Sequence, residues 1–268
     1  MNNNSIGVFD SGLGGLTAVK SISALLPKEN IVYFGDTGRL PYGTKTEETI
    51  KQYAASDIRF LMSHNVKLVV IACGTASSVA LSDMRKMFNT PIVGVVDAAC
   101  EAAVKATGNK KVGVLGTSAT IRSGSYLRGI TELNSDIKVF QKACPLFVPL
   151  VENGHFNSEV TKLVVAEYLE PIKNEGVDTL ILGCTHYPLL ETAISEYMGE
   201  GVRIINVCKE LAKSIETILG SDNLANREAD GVCEYYVSDD EKGFAKLGGV
   251  FLEREINGQV KKIDIEKY

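Results

Sequence analysis

The chain has 268 residues, with 28 Lys or Arg against 33 Asp or Glu, so its formal charge is −5. This mild acidity disfavours a nucleic-acid surface or a polybasic membrane anchor, and 45% hydrophobic content excludes a disordered chain. No basic, apolar leader is recognisable at the start, and no uncharged apolar run reaches the roughly 18 residues of a membrane span. We therefore predict a soluble, cytoplasmic protein of one large or two small domains.

Short apolar runs rich in Val and Ile alternate with stretches of helical periodicity along the chain. This alternation predicts an α/β fold built from βα units with a mostly parallel sheet. Strands are predicted at Ile6–Phe9, Ile31–Phe34, Leu68–Ala72, Ile92–Val95, Val112–Leu115, Leu180–Leu182 and Ile204–Ile205.

The clearest helical patterns lie between the first strands. One has apolar residues from Leu16 to Leu26 and ends before Pro27. The next begins with Thr44 and Glu47 at the spacing of a capping box. Its apolar face is predicted to comprise Ile50, Tyr53, Ala54, Ile58, Leu61 and Met62.

A faint internal duplication divides the chain. Ile6–Gly15 is similar to Lys111–Thr120, and Leu68–Thr75 is similar to Leu180–Thr185, at nearly the same offset along the chain. A new helical pattern begins at Ala98, just after Asp97. We therefore predict two similar α/β domains that face each other, one formed by residues 1–97 with 207–268 and the other by residues 98–206.

The chain contains six cysteines, none of them in CxxC spacing. They are predicted to be reduced thiols, mostly small core residues. His64 and His155 have no metal-ligand spacing either, so both are interpreted as surface or packing residues and no metal site is predicted.

Two cysteines stand out because each directly follows a predicted strand. They occur in Cys73-Gly74-Thr75 and Cys184-Thr185-His186. Ligands of open α/β sheets bind at the carboxyl ends of strands, where helix N-termini offer free N–H groups. Such a position predicts a thiol pKa lowered from about 8.5 towards neutrality. The alternative is a small buried thiol at a strand end.

Each of these cysteines has a candidate proton-handling partner. His186 lies two residues beyond Cys184 and could accept or return its proton. Asp10 ends the first strand, at the equivalent place in the fold. Each residue also has a plain structural interpretation, since His186 could cap a helix and Asp10 could close a turn.

The glycine-rich stretch Gly12–Thr17 lacks the third glycine of a dinucleotide fingerprint and the GK[ST] ending of a P-loop. It is typical of a tight strand-to-helix turn whose N–H groups could hold a carboxylate, which is favoured over a nucleotide. Ser118 and Thr120 indicate a similar hydroxyl-lined turn in the second half, although helix capping explains them equally well.

Two opposed thiols are suited to inverting the configuration at an acidic carbon atom. One base on each face of the carbon can remove a proton from one side and return a proton to the other. A single base reprotonates the face that it deprotonated. Because an amino-acid α-carbon is a very weak acid, such a site must stabilise the carbanion by positioning and electrostatics in a water-poor cleft.

These motifs resemble those of glutamate racemases. Asp10-Ser11-Gly12, Asp36 to Pro41-Tyr42-Gly43, the Cys73 turn and Gly183–Pro188 occur in that family's order, and the resemblance extends to the segment Tyr235–Leu252. It implies interconversion of L- and D-glutamate without pyridoxal phosphate or metal, supplying D-glutamate for peptidoglycan. It also implies two α/β domains with mainly parallel sheets, an active site in the cleft between them, and often a homodimer.

The same resemblance implies roles for individual residues. Cys73 would act on the D-isomer, assisted by Asp10. Cys184 would act on the L-isomer, assisted by His186, and Glu152 would pair with His186. The implied substrate-binding residues are Asp10, Ser11, Pro41, Tyr42, Gly43, Gly74, Thr75, Thr117, Thr120, Thr185 and His186.

Two positions depart from the pattern. Gly74 stands where many family members have Asn, which predicts an altered affinity, and Asn206-Val207-Cys208 replaces a more polar, hydroxyl-bearing turn. A racemase of aspartate or another acidic amino acid is the nearest alternative function. A non-catalytic carboxylate-binding relative is the other, although such a protein has no need of two thiols.

Overall fold

The fold is described from a computed structural model that covers residues 3–221, 224–226, 230–256 and 258–268. Its strands are β1 (Ile6–Asp10), β2 (Ile31–Gly35), β3 (Leu68–Ile71), β4 (Ile92–Gly94), β5 (Lys111–Gly116), β6 (Lys138–Ala143), β7 (Thr179–Leu182), β8 (Arg203–Asn206), β9 (Cys233–Val237) and β10 (Val260–Lys262). Its helices are α1 (Leu16–Leu25), α2 (Glu47–Met62), α3 (Gly74–Met87), α4 (Val95–Ala106), α5 (Ser118–Ser123), α6 (Ser125–Leu133), α7 (Phe147–Glu152), α8 (Glu159–Asn174), α9 (Glu191–Met198), α10 (Val207–Ser221) and α11 (Glu241–Leu252).

The strands form two sheets, and all strand pairs of the described residues are parallel. The six-stranded sheet has the order β10-β9-β2-β1-β3-β4, and the four-stranded sheet has the order β6-β5-β7-β8. The four strands β2-β1-β3-β4 thus repeat the arrangement of β6-β5-β7-β8. This topology confirms the predicted α/β fold with two similar parallel sheets.

Burial explains why the strands were visible in the sequence. All residues of β1, β2, β3 and β7 are buried. Parallel sheets are covered by crossover helices on both faces, so their strands read as continuous apolar runs. By contrast, β6 is an edge strand with the sequence KVFQKA and has no fully buried residue, and periodicity did not predict it.

The apolar core is continuous between the two halves. One cluster joins residues of both sheets through α4 and α10, for example Val8, Val114 and Ile215, while a second fills the α2 and α3 side of the larger sheet. The larger sheet takes its strands from residues 6–94 and 233–262, and the smaller from residues 111–206. The domain limits at 97 and 207 stay a prediction, since α10 packs against both α1 and α4.

Three local predictions were wrong. The cap of α2 is Thr46, whose Oγ1 accepts a hydrogen bond from the Thr49 amide, whereas Thr44 belongs to a short 3₁₀ turn, Tyr42–Thr44. Val95 begins α4 rather than ending β4, because packing of α4 against α6 and α10 outweighs the low helix propensity of valine. Met62, at the last position of α2, is exposed.

No helix in the described ranges is long and apolar enough to cross a membrane.

Candidate active site

A cavity of about 310 Å³ lies between the two halves, and both strand-end cysteines line it. Cys73 follows β3 in the larger sheet, and Cys184 follows β7 in the smaller one. β3 and β7 hold equivalent positions in the two sheets. Each cysteine therefore lies at the carboxyl end of its strand, where open α/β sheets bind ligands. The two thiols therefore reach one cavity from opposite halves of the chain.

Most of the predicted site residues line this cavity. They are Ser11, Pro41, Tyr42, Gly43, Cys73, Gly74, Thr75, Thr117, Glu152, Cys184, Thr185 and His186. Asp10 and Thr120 do not line it. Each lies one layer behind the wall and hydrogen bonds to a residue that does, Asp10 to Thr185 and Thr120 to Thr117.

The Cys73 thiol caps the first turn of α3. Its Sγ accepts a hydrogen bond from the Ala76 amide at 3.5 Å and lies 3.6 Å from Ser11 Oγ. Burial nevertheless raises the pKa of Cys73 to about 11, and the negative charge of Asp10 raises it further, against the lowering effect of these hydrogen bonds. The prediction of a lowered thiol pKa was therefore wrong, because desolvation outweighs the helix N-terminus.

Burial likewise raises the pKa of Cys184 well above its usual range, although the His186 amide opposes it. The His186 ring lies between this thiol and a carboxylate: Nδ1 is 3.8 Å from Cys184 Sγ, and Nε2 is 3.1 Å from Glu152 Oε1. An ionised carboxylate can only accept, so Nε2 carries a proton. In the neutral ring, Nδ1 then faces the thiol as an acceptor.

Asp10 is 1% exposed and joins the two halves. Its Oδ1 accepts from the Gly12 amide at 2.9 Å, and its Oδ2 accepts from Thr185 Oγ1 at 3.2 Å. Burial raises the pKa of Asp10, and the nearby His186 partly offsets this effect. Asp10 thus closes the turn after β1 and also faces the second half, while its role as a proton-handling partner of Cys73 stays a prediction.

Further hydroxyl groups bridge the halves around the cavity. Thr75 Oγ1 and Thr117 Oγ1 are 2.9 Å apart. Sequence reasoning missed Thr17, whose Oγ1 lies 2.8 Å from the carbonyl oxygens of both Gly14 and Thr185 and donates its single proton to one of them. Cys208 Sγ lies 3.1 Å from Thr17 Oγ1. In the segment Asn206–Cys208, where a hydroxyl group was expected, the thiol of Cys208 makes this contact instead.

The backbones of the two strand ends also meet directly. A Cβ atom on Gly74 would lie 2.3 Å from the Gly183 carbonyl oxygen and 3.4 Å from Cys184 Cα. A side chain at this position therefore requires some of these backbone atoms to shift.

Sequence reasoning also missed several cavity residues. Cys144, Pro145 and Val148 also line the cavity. They follow β6. Had this strand been predicted, its carboxyl end would have indicated them as candidate cavity residues.

Over residues 6–215 the sequence matches the family of Asp/Glu/Hydantoin racemases. The chain belongs to the Asp/Glu/Hydantoin racemase family. It is 43% identical to a glutamate racemase of Geobacter metallireducens over 98% of this chain and 97% of that relative. This relationship confirms the resemblance inferred from the motifs.

Solved structures of racemases in this family share the whole fold. Glutamate racemase isoform RacE1 of Bacillus anthracis has a TM-score of 0.95 and 35% identity, covering 98% of both chains. The glutamate racemase of Francisella tularensis, solved in complex with D-glutamate, has a TM-score of 0.93 and 35% identity, covering 100% of both chains.

Proposed function

We propose that this chain is a glutamate racemase that moves the α-proton of glutamate between two thiols. The observation that carries the proposal is the meeting of Cys73 and Cys184, from opposite halves of the chain, in one cavity of about 310 Å³. The full-length identity of 43% to a glutamate racemase supports glutamate as the substrate rather than aspartate or another acidic amino acid.

Each thiol acts on one face of the α-carbon. The thiolate of Cys73 removes the α-proton of D-glutamate, and the thiol of Cys184 then donates a proton to the opposite face. The reverse reaction uses Cys184 as base and Cys73 as acid. The Cys73 thiolate becomes a neutral thiol when it accepts the proton, and Cys184 becomes a thiolate when it donates one, so one negative charge passes from the first sulfur to the second.

The surrounding residues prepare the thiols for proton transfer. His186 Nδ1 accepts the proton of Cys184, and Glu152 holds the ring from its far side. Asp10 assists Cys73 by accepting its proton, as the resemblance to glutamate racemases implies. The substrate's ammonium group brings a positive charge next to the reacting carbon, and this charge favours the thiolate over the thiol.

Hydroxyl groups and backbone amides hold the substrate's polar groups. The described lining of the cavity contains Ser11, Thr75, Thr117 and Thr185 but no Lys or Arg. A carboxylate here is therefore bound by neutral donors, and burial strengthens each of those hydrogen bonds.

The resemblance to glutamate racemases supports the remaining parts of the proposal. D-Glutamate made by this chain supplies peptidoglycan synthesis in the cytoplasm. The reaction needs neither pyridoxal phosphate nor a metal ion, and a homodimer is the assembly that the resemblance favours.

The deciding experiment incubates the purified protein with D-glutamate in deuterated water without added cofactor. Circular dichroism follows the optical activity, and NMR or mass spectrometry follows the α-deuterium. L-Glutamate carrying α-deuterium is the expected product. Conversion of D-aspartate alone would replace glutamate by aspartate as the substrate, and no change with either amino acid would favour the carboxylate-binding alternative.

Removing the charge from Glu152 is expected to lower kcat/KM about tenfold, because His186 loses a charge-assisted hydrogen bond that orients its ring. The variant is Glu152→Gln, assayed in both directions. The matched control is Glu170→Gln, at an exposed position of α8, which should leave the kinetics unchanged. Equal kinetics of the two variants would contradict the assigned pairing.

The pH profile should reflect the raised pKa of Cys73, which burial brings to about 11. Below that pKa only a small fraction of Cys73 is thiolate, and the fraction grows as the pH rises. We therefore expect kcat/KM for D-glutamate to increase between about pH 6 and about pH 8. A profile that falls with pH over this range would contradict Cys73 as the base.

A further inference from the structure

Behind the Tyr42–Thr44 turn lies a buried group of charged side chains, here called the Asp36–Asp57 cluster. It consists of Asp36, Arg39, Tyr42 and Asp57. Both carboxylate side chains are 0% exposed and the Arg39 side chain is 12% exposed. Of the four, only Tyr42 lines the cavity. The cluster therefore touches the candidate active site through one residue.

The hydrogen bonds of Tyr42 require an additional proton. Its Oη lies 2.5 Å from Asp36 Oδ2 and 2.9 Å from Asp57 Oδ2. A phenol has one proton and can donate it to only one of these oxygens. With both carboxylates ionised, the second contact would bring two oxygen lone pairs together in a buried site. A proton on one carboxyl group turns that contact into a hydrogen bond.

The other donors indicate which carboxyl group carries this proton. Asp36 also accepts from Arg39 Nε at 2.7 Å and from Ser238 Oγ at 2.8 Å, so both of its oxygens are acceptors. Asp57 Oδ1 accepts from Arg39 Nη2 at 2.7 Å, whereas Asp57 Oδ2 has Tyr42 as its one hydrogen-bond partner among the described residues. The proton therefore belongs on Asp57 Oδ2.

Charge balance agrees with this placement. One guanidinium faces two buried carboxyl groups, so a single ionised carboxylate makes the cluster neutral. Burial raises the pKa of Asp57 well above its usual range, and the charge of Asp36 raises it further, against the opposing effects of Arg39 and Tyr42. The other groups around Arg39 are the Tyr53 ring, at 4.3 Å, and the exposed Glu266, at 3.8 Å.

We propose that Asp57 is a neutral carboxylic acid that donates to Tyr42, which donates to Asp36, and that this chain of hydrogen bonds positions the Tyr42–Thr44 turn against the substrate. Asp57 is thus a positioning residue on α2 that does not itself line the cavity. The inference deepens the proposed function and rests on it for its kinetic consequences.

The kinetic test compares amide and alanine variants. Asp57→Asn should keep kcat and KM within about twofold, since its amide can still donate to Tyr42 while its oxygen accepts from Arg39. Asp36→Asn should raise KM about tenfold, because it removes the buried negative charge that balances Arg39. Asp57→Ala should raise KM more than it lowers kcat, because the turn loses its support while the thiols are untouched.

Two kinetic results would overturn the proposal. One is a loss in Asp57→Asn as large as that in Asp36→Asn, which would show that Asp57 acts as an anion. The other is an unchanged KM in Asp57→Ala. If Asp57→Ala does not fold, the comparison of the two asparagine variants still decides.

A second measurement tests the proton without relying on activity. A carboxyl group with a raised pKa stabilises the fold fully below its unfolded pKa of about 3.9, and this stability is lost as the pH rises towards the folded pKa. Relative to Asp57→Asn, the wild-type unfolding constant should therefore increase up to about tenfold per pH unit above about pH 4. If the free energies of unfolding of the wild type and Asp57→Asn change in parallel with pH, the proposal is overturned. A wild type that racemises nothing would refute only the proposed function.

Discussion

Serine in place of Cys184 is expected to lower kcat for racemisation by about 10²–10⁴-fold in both directions, and serine in place of Cys73 should do the same. A hydroxyl is a far weaker acid than a thiol, so it neither becomes the base nor returns the proton efficiently. Loss in both directions follows because each turnover uses one residue as base and the other as acid. Steady-state circular dichroism with each isomer measures the loss.

Exchange in deuterated water separates the two cysteines. With Cys184→Ser, the remaining Cys73 can still remove the α-proton of D-glutamate, so deuterium should enter D-glutamate and not L-glutamate. With Cys73→Ser, deuterium should enter L-glutamate only. Exchange into the opposite isomers would reverse the assignment of faces, and full racemisation by either variant would remove that cysteine from the mechanism. Cys233→Ser, in β9 and away from the cavity, is the matched control.

A side chain at Gly74 is expected to separate the two halves of the site. The Cβ of Gly74→Ala would lie 2.3 Å from the Gly183 carbonyl oxygen, which is closer than real contacts allow. Gly183 cannot easily yield, because its amide donates to the Leu115 carbonyl at 2.8 Å. Moving the Cys184 strand end by about 1 Å costs about 10²-fold in kcat, since proton transfer depends on precise distances.

Gly74→Asn distinguishes this view from a direct effect on substrate binding. If the two halves must separate, kcat should fall in the asparagine variant as it does in Gly74→Ala. If the asparagine amide instead binds the substrate, as the resemblance to many family members implies, KM should fall while kcat is kept, and the steric argument would be wrong. Gly220→Ala is the control, because a Cβ there meets nothing within 4 Å.

The residues that sequence reasoning missed share a physical reason. Asp57 lies in the middle of α2 and is buried with Ile50, Ala54 and Leu61 on the same helix face. An aspartate on an apolar face is a signal, but its meaning depends on Arg39 and Tyr42, which the fold brings to it. Thr17 is similar, since its partner Thr185 lies 168 residues further along the chain.

The pKa of Cys73 also depends on a property that the sequence does not show, the burial of the thiol in the folded chain. Its position at a helix N-terminus was readable, and taken alone this position lowers a thiol pKa. The size of the opposing effect depends on how completely the fold buries the thiol. Only the folded chain shows that burial dominates and raises the pKa to about 11.

By itself, the sequence determined the α/β class, the two similar halves, most strands and the cysteines that follow β3 and β7. These features are local, because burial of a parallel strand on both faces leaves a continuous apolar run and the residues after it mark the ligand-binding edge. The tertiary structure alone decided the edge strand β6, the close contact of Gly74 with Gly183, and the meeting of Asp36, Arg39, Tyr42 and Asp57 in one buried cluster. Each of these depends on distances between residues far apart in the chain, which no local pattern encodes.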